Sequence, residues 1–408
     1  MIKGLVNGVE KDITKVTVIV NGVEKQGKKI VDRAGNIIWQ RAMNWNEVRD
    51  LVRAGTAPQR IPIGTILYDN IAKKAGTAFQ VVGYDKHFDP EMTARGYTHS
   101  MTLCELKLTD FVTFDAIEAL LYVETAIAPG TYRFKIPNYD ATYGGNKSYY
   151  FTTTKSIPVG GQITINWPYQ QTPKTASTYS EIAGVTAIES GLTLSEWIEG
   201  DSPAAIDLGT AAGPNAALGT SSFGKMNHIH RARYGSNNYL QSGIRQYINS
   251  DKAASSWWSP QTVFDRPYGS RTSAGKLSKL SSEFVDALVK PEIKSRANGY
   301  FETDSLDGTK FSVSTDYTIT TDKMFLLSPN EVGLNADTTI GSTLDYYLNA
   351  TNADRIKHRA SNDAAYYWWL RAPYPTDAIN VRSVTTSGAL SSSDARSTHG
   401  VAAACVIQ

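Results

Sequence analysis

A seven-residue motif occurs twice near the N-terminus. Residues 5–11 read Leu-Val-Asn-Gly-Val-Glu-Lys, and residues 19–25 read Ile-Val-Asn-Gly-Val-Glu-Lys. An Asn-Gly pair between β-branched residues predicts a two-residue hairpin turn, because both turn residues must accept positive φ. A third turn is predicted at residues 34–36. Residues 1–42 are therefore predicted to form a β-hairpin module, which is too small to bury its own core and should pack against copies of itself or a larger assembly.

The length and charge of the chain limit its class and partners. A chain of 408 residues exceeds one ordinary hydrophobic core and predicts two or three domains. Its 41 basic and 39 acidic side chains are interspersed, and the formal net charge is +2. Because no basic stripe is present, we expect no nucleic-acid partner and no binding to anionic membranes.

Targeting signals and cysteine use indicate where the protein works. The first 15 residues carry charges throughout, unlike a secretory signal peptide, and apolar runs such as Val401–Ile407 are too short to span a bilayer. This pattern predicts a protein of the cytosol, or one released by lysis as virion parts are. Cys104 and Cys405 permit one disulfide at most and exclude a four-cysteine zinc site. We expect two free thiols, consistent with assembly inside a cell.

Apolar spacing predicts several regular elements. Helices are predicted at residues 44–55, 240–248 and 282–290, and the clearest strand at residues 79–84. The first helix should bury one face, made of Trp45, Val48, Leu51 and Val52, and end at Gly55.

Residues 115–224 differ in composition from their surroundings and are predicted to form an inserted β-rich subdomain. They open with a helix-like apolar run at 114–123 and continue with alternating strands at 131–136 and 162–167. Residues 200–224 have low complexity and few apolar side chains, which predicts a loop.

Enzyme and metal motifs are weak in this sequence. It contains no Gly-x-Ser-x-Gly elbow, no His-Glu-x-x-His helix and no phosphate-binding loop with the right spacing. His228 and His230 would share one face of a strand and could bind a metal, but two polar residues flanking a buried Ile229 is the simpler interpretation. We therefore expect no metal and no cofactor.

Three blocks of the sequence form a familiar ordered set. They are residues 234–250 (YGSNNYLQSGIRQYINS) followed by Trp257-Trp258, residues 322–333 (DKMFLLSPNEVG), and residues 366–373 (YYWWLRAP) with the ending 400–407 (GVAAACVI). This set resembles a family of bacterial and prophage proteins with a C-type-lectin-like fold. The family includes the variable proteins of diversity-generating retroelements, among them phage tropism determinants.

The resemblance implies an α+β fold in four parts. These are an N-terminal β-hairpin module (1–42), the first part of a C-type-lectin-like domain (43–114), the inserted β-rich subdomain (115–224), and the main part of the lectin-like domain with a variable ligand-binding C-terminus (225–408). It implies that residues 368–371 are buried framework and that loops after Pro373 face the ligand. The apolar Trp368-Trp369-Leu370 run and the small, polar residues 387–400 agree with this division.

Composition gives further support to diversification. Retroelement mutagenesis replaces adenines, chiefly in Asn-type codons, and does not produce Lys, Glu, Gln, Met or Trp. None of these five occurs in residues 370–407, although they make up about one residue in six elsewhere in the chain. The predicted ligand-binding residues are Tyr374, Thr376, Asp377, Ile379, Asn380, Arg382, Ser383, Thr385, Thr386, Ser391, Ser392, Ser393, Asp394, Arg396, Ser397, Thr398 and His399.

These observations predict a homotrimeric receptor-binding protein of a phage tail, assembled in the bacterial cytoplasm. Its partners would be a host cell-surface protein or glycan and other phage tail proteins. The tripeptides through which calcium-dependent lectins hold sugars are missing, so recognition should need no ion. Two alternatives remain at this stage. One is a formylglycine-generating-type enzyme of the same fold, which needs a reactive cysteine, and the other is a purely structural virion protein.

Overall fold

The computed structural model describes residues 3–6, 9–12, 17–20, 23–26, 29–31, 37–40, 43–116, 121–123, 125–135, 148–159, 162–165, 189–192, 195–210, 222–223, 226–228, 235–261, 265, 268–296, 317–334, 340–375 and 379–408. These residues form a mixed α+β protein made mostly of β-sheets with a few short helices. The helices are α1 (Trp45–Arg53), α2 (Ala57–Arg60), α3 (Pro90–Ala94), α4 (Gly243–Ile248), α5 (Ser282–Ala287) and α6 (Asn352–Arg355).

The strands are, in chain order, β1 (Lys3–Val6), β2 (Val9–Asp12), β3 (Thr17–Val20), β4 (Val23–Gln26), β5 (Lys29–Val31), β6 (Ile37–Gln40), β7 (Ile66–Asn70), β8 (Ala75–Tyr84), β9 (Met101–Glu105), β10 (Phe111–Thr113), β11 (Leu121–Val123), β12 (Gly130–Lys135), β13 (Ser148–Thr153), β14 (Gln162–Ile165), β15 (Glu189–Leu192), β16 (Ser195–Glu196), β17 (Ile206–Thr210), β18 (Ser222–Phe223), β19 (Met226–His228), β20 (Glu292–Arg296), β21 (Tyr317–Thr321), β22 (Met324–Leu326), β23 (Lys357–His358), β24 (Ala365–Tyr366), β25 (Trp368–Pro373), β26 (Asn380–Val384), β27 (Leu390–Asp394), β28 (Thr398–Gly400) and β29 (Ala403–Ile407).

The three N-terminal hairpins form as the sequence predicts. Val6 pairs with Val9 and Val20 with Val23, so each Asn-Gly pair lies between the two strands of an antiparallel hairpin. Strands β5 and β6 pair across residues 32–36, which include the third predicted turn. Each hairpin is a separate two-stranded sheet. Association of the module with other chains stays a prediction.

Helix α1 also follows the prediction. Asn44 and Glu47 form a reciprocal capping box at its N-terminus, which satisfies backbone N–H groups that the helix leaves unpaired. Trp45, Val48 and Val52 are buried on one face, and Gly55 has a φ of +67° just after the helix.

Two predictions for residues 114–224 are wrong within the described residues. The run at 114–123 contains no described helix, since Phe114 and Asp115 donate backbone N–H groups to Ala395 and residues 121–123 form β11 between β14 and β19. The predicted loop at 200–224 contains β17, which pairs in parallel with β12, and β18. Strand β17 buries only Leu208, so its apolar pattern is too weak to identify it from sequence.

The later helices are shorter than predicted. Helix α4 begins at Gly243 behind the N-cap Ser242, and α5 ends at Ala287 instead of Lys290. After α5 the backbone becomes extended, because Leu288 forms a β-bridge with Ile407 and the Val289 N–H donates to the Val406 carbonyl. Tertiary pairing with β29 therefore overrides the helical spacing.

A five-stranded central sheet has the order β22-β29-β9-β8-β7. Strand β29, the last in the chain, lies inside this sheet and is antiparallel to both β22 and β9. Its two faces belong to different cores. Ala403, Cys405 and Ile407 pack in the larger apolar cluster, and Ala404 and Val406 pack in the smaller one. This strand therefore connects the two cores.

A second five-stranded sheet has the order β10-β28-β25-β26-β27. Strands β25, β26 and β27 are antiparallel to one another, and β28 pairs with β10 and, at Gly400, with β25. Residues 368–373 are buried along the whole of β25, as expected for the framework. These two sheets combine strands from residues 43–114 with strands from residues 225–408, whereas a third five-stranded sheet has the order β15-β14-β11-β19-β18.

Candidate ligand-binding surface

The predicted ligand-binding residues lie mainly on strands β26, β27 and β28, rather than on long loops. The β26–β27 pair is in register from Asn380↔Asp394 to Val384↔Leu390. Because paired residues share a face and alternate residues point to opposite faces, this register divides the set in two. The Arg382 face carries Asn380, Arg382, Ser392 and Asp394. The His399 face carries Ser383, Ser391, Ser393 and, from β28, His399.

The Arg382 face is polar and partly exposed. The Arg382 guanidinium lies over the ring of Tyr374, 4.7 Å from its centroid. Asp394 pairs with Arg396 across 3.4 Å, in the turn that follows β27. The neighbouring side chains Trp368, on β25, and Val384, on β26, are buried. A rigid strand pair thus supports adaptable polar groups.

On the His399 face, three contacts hold the imidazole of His399 in one position. It stacks on Tyr367 at a centroid distance of 5.3 Å, lies 4.4 Å from the Trp369 ring, and makes a 2.8 Å hydrogen bond through Nε2 with Ser393 Oγ. Burial lowers the pKa of His399, although the Thr398 carbonyl and the Asp394 carboxylate partly oppose this. The ring is therefore neutral at neutral pH and makes an uncharged surface.

A tight turn connects β26 to β27. The Thr385 hydroxyl accepts the N–H groups of Ser387 and Ala389, and the Gly388 N–H donates to the Thr385 carbonyl. Gly388 has a φ of +79°, in the left-handed region that favours glycine. A Cβ at Gly388 would lie 1.7 Å from the Asn352 carbonyl oxygen, so no other residue fits there without moving the backbone.

Exposure differs among the predicted residues. Thr386 and Thr398 are exposed, and Ser383 is fully buried, so the Ser383 side chain does not reach solvent. Thr376 and Asp377 lie outside the described residues. The following predicted residues are partly exposed: Tyr374, Ile379, Asn380, Arg382, Thr385, Ser391, Ser392, Ser393, Asp394, Arg396, Ser397 and His399.

A buried ionic network fixes Arg371 of β25, the strand that precedes the predicted ligand-binding residues. Arg371 in β25 binds Glu331 through two nitrogens, at 2.5 and 2.6 Å, and also donates to the carbonyls of Leu326 and Lys294. His87 makes a 2.9 Å contact with the same carboxylate. Burial alone would raise the pKa of Glu331, but Arg371 and His87 outweigh it and lower that pKa to about 2. Glu331 is therefore ionised at neutral pH, and Arg371 is fixed in the core.

The hydroxyl of Thr102 lies 3.1 Å from Nδ1 of His87, which completes a hydroxyl–His–carboxylate series. This order of groups matches that of a nucleophilic triad. However, Thr102 is fully buried, and Arg371 already neutralises Glu331. The arrangement is a structural network in the core, and the Thr102 side chain is not exposed to solvent.

A second ionic cluster surrounds the segment between β9 and β10. Buried Lys276 contacts Glu105 and lies 2.6 Å from Asp110, whose other oxygen accepts from Lys279 at 2.7 Å. Burial would raise the pKa of Asp110, but Lys276 and Lys279 lower it overall. Burial would lower the pKa of Lys276, but the two carboxylates raise it overall. Burial outweighs Lys276 at Glu105 and raises the pKa of that carboxyl. The cluster thus places two carboxylates, whose pKa values shift in opposite directions, around one buried ammonium.

The two cysteines are free thiols, as the sequence predicts. They lie on adjacent strands, but Cys104 packs in the smaller core and Cys405 in the larger, so their side chains point to opposite faces. Burial raises the pKa of the Cys104 thiol, and it raises that of Cys405 further above its usual range. Both thiols are thus protonated and shielded from solvent.

No group of three or more His, Cys, Asp or Glu side chains in the described part of the chain could hold a metal ion. Of the predicted histidine pair, His230 lies outside the described residues, and only the backbone of His228 is described. Among the helices that the structure describes, none has the length and apolar character needed to cross a membrane.

Sequence reasoning missed one side-chain cluster beside these strands. The Arg359 guanidinium lies 3.7 Å from the centroid of the Tyr366 ring and 4.8 Å from that of Phe111, and these two rings meet edge to face. Phe111 pairs with Gly400, directly after the predicted ligand-binding segment. Arg359 and Phe111 are far apart in sequence, and no local motif connects them. Of these residues, only Tyr366 belongs to a motif that the sequence indicates, the block at residues 366–373.

Comparison with known proteins gives one match. A family model described as a domain of unknown function, DUF6273, matches residues 215–408. Comparisons with curated proteins and with solved structures found no match. The matched range includes β18 to β29 and the whole predicted ligand-binding segment. It leaves out β7 to β10, which belong to the sheets that contain β29 and β25.

Proposed function

We propose that the protein is a receptor-binding protein of a phage tail, with a C-type-lectin-like domain that displays a diversified surface on strands β26 to β28. The observation that carries this proposal is the contrast between a buried supporting strand, β25, and a partly exposed polar strand, β27. Strand β25 is buried throughout, whereas the edge strand β27 is partly exposed at all five positions and presents four small polar side chains. Strand β26, which lies between them, is partly exposed at two of its five positions. Such a division allows side chains to vary without loss of the fold.

The enzyme alternative has less support. A formylglycine-generating-type mechanism requires a reactive thiolate, and the nucleophilic form of cysteine is disfavoured where burial raises the thiol pKa. Both Cys104 and Cys405 are in that situation and face different cores. Mass spectrometry of a sulfatase-type peptide after incubation with the protein should detect no conversion of its cysteine.

The display function can be tested with one multiple variant. Ser391→Thr, Ser392→Asn, Ser393→Thr and Asp394→Asn change four partly exposed side chains and keep polar groups that suit a strand. Exposed polar changes usually alter stability by less than about 0.5 kcal/mol each, so the melting temperature should stay close to that of the parent. Binding of labelled protein to a panel of bacterial strains should fall at least about tenfold or move to other strains, since few contacts dominate an interface.

Two narrower variants would locate the contact. The pair Ser392→Asn and Asp394→Asn changes the Arg382 face, and the pair Ser391→Thr and Ser393→Thr changes the His399 face. Trp369→Ala is the matched framework change and should cost about 3–5 kcal/mol because the indole is fully buried. Cell binding that survives the fourfold change, or unfolding caused by it, would contradict the display proposal.

A further inference from the structure

Lys276 is a buried amine that lies against two carboxyl groups. Its side chain is 1% exposed, its Nζ lies 2.6 Å from Asp110 Oδ2, and it also contacts the fully buried Glu105 carboxyl. The Lys107–Asp363 pair, at 2.9 Å, is by contrast open to solvent. Lys276 therefore meets a carboxyl group at close range in a place shielded from water.

Backbone contacts hold these three side chains in one arrangement. Glu105 accepts a backbone N–H of β29 at 3.0 Å, and the Asp110 carbonyl accepts a backbone N–H just before β29 at 2.9 Å. Gly275, directly before Lys276, packs so closely that a Cβ there would lie 2.3 Å from the Ser250 carbonyl oxygen. Such fixed positions favour reaction between neighbouring groups, because little freedom is left to lose.

The second oxygen of Asp110 faces hydrogen-bond donors. Asp110 Oδ1 accepts from Lys279 Nζ at 2.7 Å, and the Tyr247 hydroxyl hydrogen-bonds the same carboxyl group. Addition of a nucleophile to the Asp110 carboxyl carbon would place negative charge on Oδ1. The ammonium and the phenol are positioned to stabilise that charge, as donors do in an oxyanion hole.

Glu105 is suited to moving the protons of the Lys276 ammonium. Burial would lower the pKa of Lys276, but the two carboxylates raise it overall, so the nitrogen starts protonated and is not yet nucleophilic. Burial raises the pKa of Glu105 in spite of the neighbouring ammonium. A carboxylate with a raised pKa, in contact with the ammonium, is a suitable base for it.

We propose that Lys276 and Asp110 form an intramolecular isopeptide bond, with Glu105 as the proton relay. Glu105 takes a proton from the ammonium, the amine attacks Asp110 Cγ, and the bond from Cγ to Oδ2 breaks. Two of the three ammonium protons leave with Oδ2 as water, and the third stays on the amide nitrogen. One positive and one negative charge disappear together, and the reaction needs no oxidant or reductant.

The bond would remove two charges from the protein interior, where keeping charges away from water is costly. It would also join residues 43–114 to residues 225–408 across the whole of 115–224, since Lys276 and Asp110 are 166 positions apart. A cross-link that closes so long a loop restricts the unfolded chain and should increase resistance to unfolding. The inference does not depend on the proposed display function.

Mass spectrometry of the full chain tests the bond directly. The intact, denatured protein should be lighter than its sequence by the mass of one water molecule. Trypsin should release a branched peptide that joins residues 108–133 to residues 272–279, because the amide prevents cleavage after Lys276. The exposed Lys107–Asp363 pair is an internal control, and trypsin should cleave after Lys107.

Two variants test the chemistry. Lys276→Arg keeps the positive charge but has no nucleophilic amine, so it should have its full sequence mass and a lower melting temperature than the parent. Glu105→Gln keeps both bonded partners and should yield at least about tenfold less branched peptide, because the proton relay is lost. Asp363→Asn is the matched control for the loss of a carboxylate beside a lysine, and it should keep the branched peptide.

Two results would overturn the inference. One is a parent protein of full sequence mass whose two tryptic peptides are linear, and loss of water located elsewhere in the chain has the same meaning. The other is a folded Glu105→Gln variant with as much branched peptide as the parent, which would exclude Glu105 as the relay. The first result is read on the parent, so it holds even if a variant does not fold.

Discussion

Gly388 is the residue with the least freedom in the β26–β27 turn. Its positive φ is one that residues with a Cβ rarely adopt, and its α-carbon faces the Asn352 backbone in a way that leaves no room for a side chain. The turn therefore needs glycine for two independent reasons. A diversified segment can contain such a position only if mutagenesis leaves it unchanged.

Gly388→Ala should lower the free energy of unfolding by about 2–5 kcal/mol, since backbone strain and a steric clash add together. Thr386→Ala is the control, because Thr386 is an exposed residue of the same turn and should change stability by less than about 0.5 kcal/mol. Urea unfolding of both variants measures the difference. Equal stability of the two would mean that the turn adjusts at little cost.

Glu331 is the ionised residue on which the buried network depends. Glu331→Gln leaves the Arg371 charge in the core without its carboxylate, which should cost about 3–5 kcal/mol at pH 7. The pKa of Glu331 is lowered from 4.5 to about 2 in the folded state. A lowered carboxyl pKa stabilises the fold above the unfolded-state value, and this stabilisation disappears as the pH falls through the folded-state value.

The stability gap between parent and Glu331→Gln should therefore shrink progressively as the pH falls from about 4.5 towards 2. Urea unfolding at pH 7, 4 and 3 would follow the gap. Asp286→Asn, at an exposed carboxylate, serves as the control and should show little effect at any of these pH values. A gap of the same size at every pH would contradict an ionised Glu331.

Among the elements, β29 is expected to be important for stability because of its position. It lies between β9 and β22 and contributes side chains to both cores, so it cannot detach without exposing each of them. The two buried thiols report on this pairing, since Cys104 and Cys405 lie on adjacent strands and point in opposite directions.

We expect both thiols of the native protein to resist a thiol-specific reagent until the whole molecule unfolds. Absorbance of the released dye should show two reactive thiols in guanidinium chloride and almost none in buffer. Rapid reaction of one thiol in buffer would mean that one face of the sheet opens locally, and would contradict a jointly buried strand.

At the scale of the whole molecule, the hairpin module predicts association. Three separate two-stranded hairpins have no third strand to complete a sheet within the described residues. Light scattering should therefore give a mass near three times 44.6 kDa at micromolar concentration. A chain that lacks residues 1–42 should be a monomer. A monomeric full chain would contradict the trimer.

Local signals in the sequence gave the local structure well. The Asn-Gly turns, helix α1 and the buried Trp368–Arg371 framework each depend on a few adjacent residues, and the structure confirms them. Features set by distant partners were not predictable. Strand β11 replaces a predicted helix because β14 and β19 pair with it, and the Arg359 cluster joins segments about 250 residues apart.

The division of the predicted ligand-binding segment into two faces could not be predicted from the sequence either. It depends on the register Arg382↔Ser392, and a shift of one residue would exchange the two faces. The sequence indicates which polar residues could vary. Only the strand pairing decides which of these residues lie on the same face of the sheet.

The central place of β29 has a consequence for protein synthesis. The ribosome makes this strand after the whole predicted ligand-binding segment, yet its partner β9 emerges roughly 300 residues earlier. Contacts between such distant segments form late in folding. A nonsense or frameshift mutation anywhere in codons 376–399 would remove β29 and leave β9 and β22 without the strand between them. Every folded copy must therefore have been translated in frame through the predicted ligand-binding segment.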